Sequence, residues 1–150
     1  MASEIPDQLS SPAPPSLHPK HIAIPLRLTP HTTLHIQLTQ LETSNLIFLT
    51  TTDPSNSNAL SALGSFVYAM PNRLNPSESI STPLHSVPHS IDFATRVAKI
   101  LARKTGKPTY VGCSVNLGIG VMVEEEIEAV KKSVEGVMEE ISGGVNGVKE

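Results

Sequence analysis

The six histidines of this chain fall into three close pairs, His18 with His21, His31 with His35 and His85 with His89. Imidazole is the commonest metal ligand at neutral pH, but a site needs several donors converging with a carboxylate or thiolate. His18 and His21 lie in a proline-rich arm, and His31 and His35 flank a strand start, where residues four apart need not share a face. Exposed loop histidines are the expectation, and no metal site. Gly118-Ile119-Gly120 has the opening spacing of a dinucleotide fingerprint, yet the third glycine position holds Val123 and the residues that follow read as strand before helix. A hairpin turn explains these glycines more simply. Cys113 alternates with Val111 and Val115 on one strand face, and no histidine or cation stands nearby in sequence to lower its pKa. It reads as a buried structural thiol. No G-x-S-x-G elbow and no G-x-x-x-x-G-K-[ST] phosphate loop occurs. No catalytic residue and no cofactor is expected. Ser11-Pro12, Thr29-Pro30 and Thr82-Pro83 match proline-directed kinase sites, a dipeptide too common to carry weight.

The charges are more informative. Residues 91–110 carry Arg96, Lys99, Arg103, Lys104 and Lys107 against Asp92, a net +4, whereas residues 111–150 carry a net −5. Such segregation fits either two solvated helix faces or opposed patches that orient a protein partner. Tyr110 is the one aromatic beside the cations, which argues against stacking on single-stranded nucleic acid. A small-ligand or nucleotide-binding module using the Gly112–Gly120 hairpin and these cations is the alternative from a different class.

The elements that must position these groups are readable from periodicity. The apolar stretch Ile22–Leu28 is broken by Pro25, which makes it an edge strand or extended arm. Leu34, Ile36 and Leu38 alternate with polar residues, then Glu42-Thr43-Ser44-Asn45 turns the chain into Leu46-Ile47-Phe48-Leu49. That second strand is apolar on both faces, the pattern of a central strand covered on both sides. Phe66, Tyr68 and Met70 alternate with Val67 and Ala69 as a further strand closed by Pro71-Asn72, and a short strand is expected around Ile80. Ser90 is placed to cap a helix with its hydroxyl, and Phe93, Val97, Ile100 and Leu101 recur on one helical face, widened by Ala94 and Ala98. Gly106 and Pro108 stop that helix. Val111, Cys113 and Val115 pair with Ile119, Val121 and Val123 in an expected second hairpin. Glu124-Glu125-Glu126 then opens a helix whose face is Ile127, Val130, Val134, Val137 and Ile141, ending at Gly143-Gly144. Strands joined mainly by hairpins favour an α+β fold: an antiparallel sheet of about six strands packed with two main helices.

Over 150 residues the chain is 39% hydrophobic, 17% charged and 3% aromatic, with 13 prolines, one cysteine and no tryptophan. One cysteine excludes a disulfide framework and a cysteine-based zinc site. No apolar run is long enough for a membrane span, and the formal charge of −3 argues against a general nucleic-acid binder. Residues 1–20 are expected to be a disordered Pro/Ser-rich tail, 21–142 a single α+β domain and 143–150 a flexible tail. Pro12-Ala13-Pro14-Pro15 is a minimal P-x-x-P, but no basic residue flanks it closer than Lys20, which weakens an SH3-type reading. Glu4 and Asp7 exclude a signal peptide's basic start, and Ala2 excludes myristoylation. The expected location is the cytoplasm, extending to the nucleus.

The run Leu101-Ala102-Arg103-Lys104-Thr105-Gly106-Lys107, followed by Tyr110-Val111, resembles the hallmark stretch of the proteasome assembly chaperone 4 family, small chaperones of 20S core-particle assembly. Leu34-His35-Ile36-Gln37-Leu38-Thr39-Gln40-Leu41 with Leu46–Leu49 is similar to that family's opening hairpin, Phe66–Pro71 to its next strand, and Glu124–Glu140 to its closing segment. The similarity spans roughly residues 30–142 in consistent order, with the L-A-R-K-T-G-K run its specific part. The Pro-rich first thirty residues, the Ser/Pro stretch at 72–90 and the tail after Ile141 depart from it. The resemblance implies a non-enzymatic chaperone that heterodimerises with a related small chaperone of the assembly chaperone 3 type. It also implies binding of proteasome α-type subunits, especially the fifth, during α-ring formation, and departure before the core particle is complete. Arg103, Lys104 and Lys107 occupy matched motif positions and are the expected partner-binding residues. A small core poor in aromatics points the same way, because such a domain is marginal alone and gains from pairing.

Overall fold

A computed structural model describes residues 17–29, 31–56, 61–118 and 120–146. The expected tail falls mostly outside these residues, as does the chain after Asn146. Strand β1 (Lys20–Pro25) lies at an edge, as Pro25 requires. It pairs antiparallel with β2 (Thr33–Gln40), which forms the expected hairpin with β3 (Asn45–Thr52) through Gln40 opposite Asn45. Strand β4 (Ser65–Pro71) and strand β5 (Ser79–His85) make another antiparallel pair, with β5 at the far edge where Pro83 is tolerated. Helix α1 (Ile91–Thr105) then returns the chain, and β6 (Thr109–Ser114) enters the gap between β3 and β4. Helix α2 (Val123–Asn146) closes the fold.

The sheet order is β1-β2-β3-β6-β4-β5, antiparallel throughout except for β3 and β6, which run parallel. The α+β class holds. The parallel pair follows from α1, a helical crossover that delivers β6 into an interior slot rather than to a hairpin neighbour.

Both helices lie on one face of the sheet. Helix α1 covers β4, β5 and β6, and α2 covers β1 and β2. Leu34, Ile36, Leu38, Ile47, Leu49, Val67 and Val111 point into this layer and are essentially sealed from water. They meet Phe93, Val97 and Leu101 of α1 and Val130, Val134 and Val137 of α2. Ala94, Ala98 and Ala102, four residues apart on α1, let the helix axis approach the sheet closely at no cost in side-chain entropy. Gly136 does the same for α2, since a methyl group there would meet Ile24 Cδ1 at 2.9 Å.

Several local expectations are revised. Strand β3 is central but covered by helices on one side only, because the described residues form no third layer. The expected hairpin across 111–123 is absent. Val115 to Gly118 and Val121 to Met122 are irregular, Ile119 lies outside the described residues, and Val123 is already helical. Gly118 and Gly120 both take left-handed backbone (φ 96° and 86°), which bends the chain from β6 into α2 instead of pairing it. Met122 donates its N–H to Glu125 Oε2 at 3.0 Å, so the glutamate run does open the helix, one member of it by direct capping. Ser90 stands at the helix start but its hydroxyl makes no capping bond. It accepts the Ser65 N–H at 3.1 Å and lies 2.8 Å from the Ser65 hydroxyl, tying β4 to α1 inside the core. Gly143-Gly144 does not stop α2, which continues to Asn146. Glycine weakens a helix by about 1 kcal/mol yet keeps its N–H, so it need not terminate one.

Candidate protein-binding surfaces

The L-A-R-K-T-G-K run divides into residues that build and residues that face outward. Leu101 and Ala102 are fully buried. The Thr105 hydroxyl donates to the Leu101 carbonyl at 2.7 Å, back along the last turn of α1. The same oxygen accepts from the Lys107 N–H at 3.4 Å and from Asn45 Nδ2 at 3.5 Å. Asn45 is buried, and its own N–H donates to the Pro108 carbonyl at 2.9 Å. Gly106 takes the left-handed conformation (φ 68°) and donates to the Ala102 carbonyl at 3.0 Å, the standard way to satisfy an orphan helix carbonyl. Thr105-Gly106 thus ends the helix and aims the chain into β6.

That turn leaves Arg103, Lys104 and Lys107 exposed at one corner of the helix layer. Arg103 donates to the Ser77 carbonyl at 3.5 Å. None of the three joins an ion pair among the described residues, where the bridges are Lys20–Glu140, Arg96–Glu126 and Lys132–Glu135.

Among the described residues, no helix or second sheet covers the opposite face of the sheet. Four of the chain's five aromatics stand on it, namely Phe48, Phe66, Tyr68 and Tyr110. Phe48 and Phe66 stack at 6.5 Å between ring centroids and 9° between planes. Their strands are not neighbours: β6 runs between them, and two strand spacings are about 9.6 Å. The rings lean together because Gly112, opposite both in register, offers no side chain. A Cβ there would lie 2.5 Å from Phe48 Cδ1. Phe66 also stacks with Tyr110 at 6.1 Å, and Tyr110 tilts onto Tyr68 at 4.8 Å. Exposed Met70 and Ile80, opposite each other in register, extend the apolar surface toward β5. At the other end, Thr50, Ser61 and Ser114 link their hydroxyls in a polar border. The composition had suggested a core poor in aromatics, and here most of the aromatics are outside it. The parity of Phe66, Tyr68 and Met70 against Val67 and Ala69 was the available signal, given helices enough for only one face.

The remaining candidates do not converge. Five of the histidines are exposed; His35, half-buried, hydrogen-bonds to the Thr52 hydroxyl at 2.8 Å. Among the described residues no cluster of histidine, cysteine and carboxylate is placed to hold a metal ion. Cys113 is buried on the helix side of β6, and burial pushes its thiol up to about 11. The turn at Gly118 borders a hollow lined by Asp92 and Glu126 rather than by the cations. No described helix is long and apolar enough to cross a membrane.

A two-layer α+β protein with one open sheet face is the class this architecture defines. The family model described as proteasome assembly chaperone 4 matches residues 33–115, and the chain belongs to that family. In fold it is similar to a chain from the crystal structure of a chaperone complex for yeast 20S proteasome assembly, with a TM-score of 0.57 and 16% sequence identity. That similarity covers 85% of this chain and 96% of the yeast one. No curated protein sequence matches the chain.

Proposed function

We propose that this chain heterodimerises through its open sheet face with a related small chaperone of the assembly chaperone 3 type. The pair binds proteasome α-type subunits, the fifth in particular, and promotes correct 20S α-ring formation without catalysing a reaction. Family membership supports the assembly role, and the yeast relative in fold comes from a chaperone complex. The observation that carries the pairing is the array of half-buried rings Phe48, Phe66, Tyr68 and Tyr110 on the face that no described helix covers. Six strands of 6 to 8 residues present on the order of 650 Å² in projection, close to the roughly 800 Å² per partner of a standard interface. Aromatic residues are the usual anchors of such contacts. With that face occupied, the helix layer remains for the α-type subunit, and Arg103, Lys104 and Lys107 supply charge at its corner. The cytoplasm, extending to the nucleus, is the proposed location.

A nucleotide- or small-ligand-binding role at Gly112–Gly120 is disfavoured. The described residues of 115–123 form no hairpin, and the hollow beside the Gly118 turn is lined by Asp92 and by Glu126, which is paired with Arg96, with no unpaired cation.

Co-purification with mass spectrometry tests the reading. A tagged chain is expected to bring down a related small chaperone and α-type subunits, and recovery of neither overturns it. Phe66→Glu should lose the small chaperone, while Arg103→Glu with Lys104→Glu should keep it and lose the α-type subunits. Unchanged recovery in both variants removes the assignment of surfaces.

A further inference from the structure

The two helices touch above the core but leave a groove open on their outer side. Ile100 of α1 and Ile127 of α2 continue the apolar stripes of their helices, yet Ile100 is only half-buried and Ile127 is 54% exposed. With Val130 and Val134 they floor an open groove of about 500 Å³ on the face of the helix layer. Arg96, Arg103, Lys104 and Lys131 stand along it, against Glu135 as the one carboxylate lining it. Glu135 lies 3.9 Å from Lys132, and Arg96 is paired with Glu126 at 3.3 Å. The rim is therefore positive, with Lys104 and Lys131 in no ion pair among the described residues.

We infer that this groove receives an acidic amphipathic helix from a partner protein. Its carboxylates meet Arg103, Lys104 and Lys131, and its aliphatic side chains, three and four residues apart, cover Ile100 and Ile127. Charge sets the sign of the occupant. The floor sets its side chains, being wholly aliphatic. The walls set its backbone: both are helices whose N–H and C=O groups are already used, so an extended peptide would bury unpaired backbone groups, whereas a helix satisfies its own. The long stems of the flanking cations can lie along the occupant's apolar edge while their charged heads remain in water. This rests on the preceding reading in one respect, that the helix layer is the face left free when the sheet is paired.

The test uses a fluorescein-labelled designed peptide of sixteen residues, helix-forming, with leucines on one face and glutamates on the other. The control replaces every glutamate with lysine. Fluorescence anisotropy is read on the full-length chain and on the chain co-purified with its small partner. The acidic peptide is expected to bind both, with affinity falling as salt rises and at least tenfold weaker binding of the lysine peptide. Ile127→Gln and Lys131→Glu lie outside the cation cluster invoked for α-type subunits, and each should weaken binding at least tenfold with an unchanged circular dichroism spectrum. Absence of binding at millimolar peptide, equal binding of the lysine peptide, or self-association of the chain that Ile127→Gln abolishes would overturn the inference. If the small chaperone and α-type subunits co-purify while the peptide fails to bind, the groove assignment falls alone. If they do not co-purify and the peptide still binds, the groove stands and the assembly reading falls.

Discussion

Cys113 sits on β6 with its side chain in the helix-facing layer, opposite Leu49 on β3 and Ser65 on β4. Desolvation by the packed core holds its thiol well above its ordinary value of 9.0, at about 11, with a smaller opposing contribution from a backbone hydrogen bond at Val115. A group that ionises less readily in the folded chain than in the unfolded one stabilises the fold below the unfolded pKa. That advantage is lost as the solution passes through the folded value. Urea midpoints should therefore fall between pH 9 and 11, and Cys113→Ala should show a shallower decline over the same window. Equal slopes for the two proteins would show that the thiol is not the source. Cys113 was legible as a buried thiol because alternation with Val111 and Val115 suffices to place it. Ser90 was legible only in part. Its position at a helix start is a local property, but the choice between the helix N–H groups and Ser65 depends on β4, twenty-five residues away.

At the scale of elements, β6 matters most. It contributes Val111 to the core on one side, and on the other it contributes Tyr110 and the bare Gly112 over which Phe48 and Phe66 meet. Gly112→Val drives methyl groups into the Phe48 ring and Leu63, so about 1–3 kcal/mol of stability should be lost to overpacking. Because the displaced rings stand on the open face, affinity for the small partner chaperone should fall more than tenfold while the helical content is retained. A thermal melt and a calorimetric titration separate the two effects; unaltered affinity would remove the aromatic array from the interface. The strand itself was readable from its period of two. Its place in the sheet was not, because alternation carries no information about which strand lies beside it. The same limit explains the false hairpin: Val121 and Val123 keep the period, but the left-handed turns at Gly118 and Gly120 face the chain away.

At the scale of the molecule, the described residues form a sheet with helices on one side and aromatics on the other, and stability should depend on company. A partner that binds only the folded state, present at a hundred times its dissociation constant, adds about 2.7 kcal/mol. For a domain of about a hundred residues that is a rise of roughly 10–20 °C in melting temperature. Melting temperature should thus climb with added small chaperone and level off at saturation. A flat response, with the partner shown to be folded, would mean that the open face is not where pairing occurs. The hallmark run made the family visible, since Thr105, Gly106 and the buried Leu101-Ala102 serve the architecture while Arg103, Lys104 and Lys107 are left exposed. The groove was hidden because Ile100 and Ile127 fit their stripes perfectly well. Only the placement of the two helices side by side reveals the groove they floor.

The position of β6 also imposes an order of events during synthesis. It is the last of the described strands in chain order but occupies an interior place, between two strands made long before it. Until residues 109–114 emerge, β1-β2-β3 and β4-β5 are separate fragments without a shared edge. The aromatic array does not exist on either fragment, because Phe48 and Phe66 are brought together only by the strand between them. A chain ending before Thr109 therefore lacks the assembled aromatic array. On the proposed reading, synthesis through β6 therefore precedes any pairing by the open face.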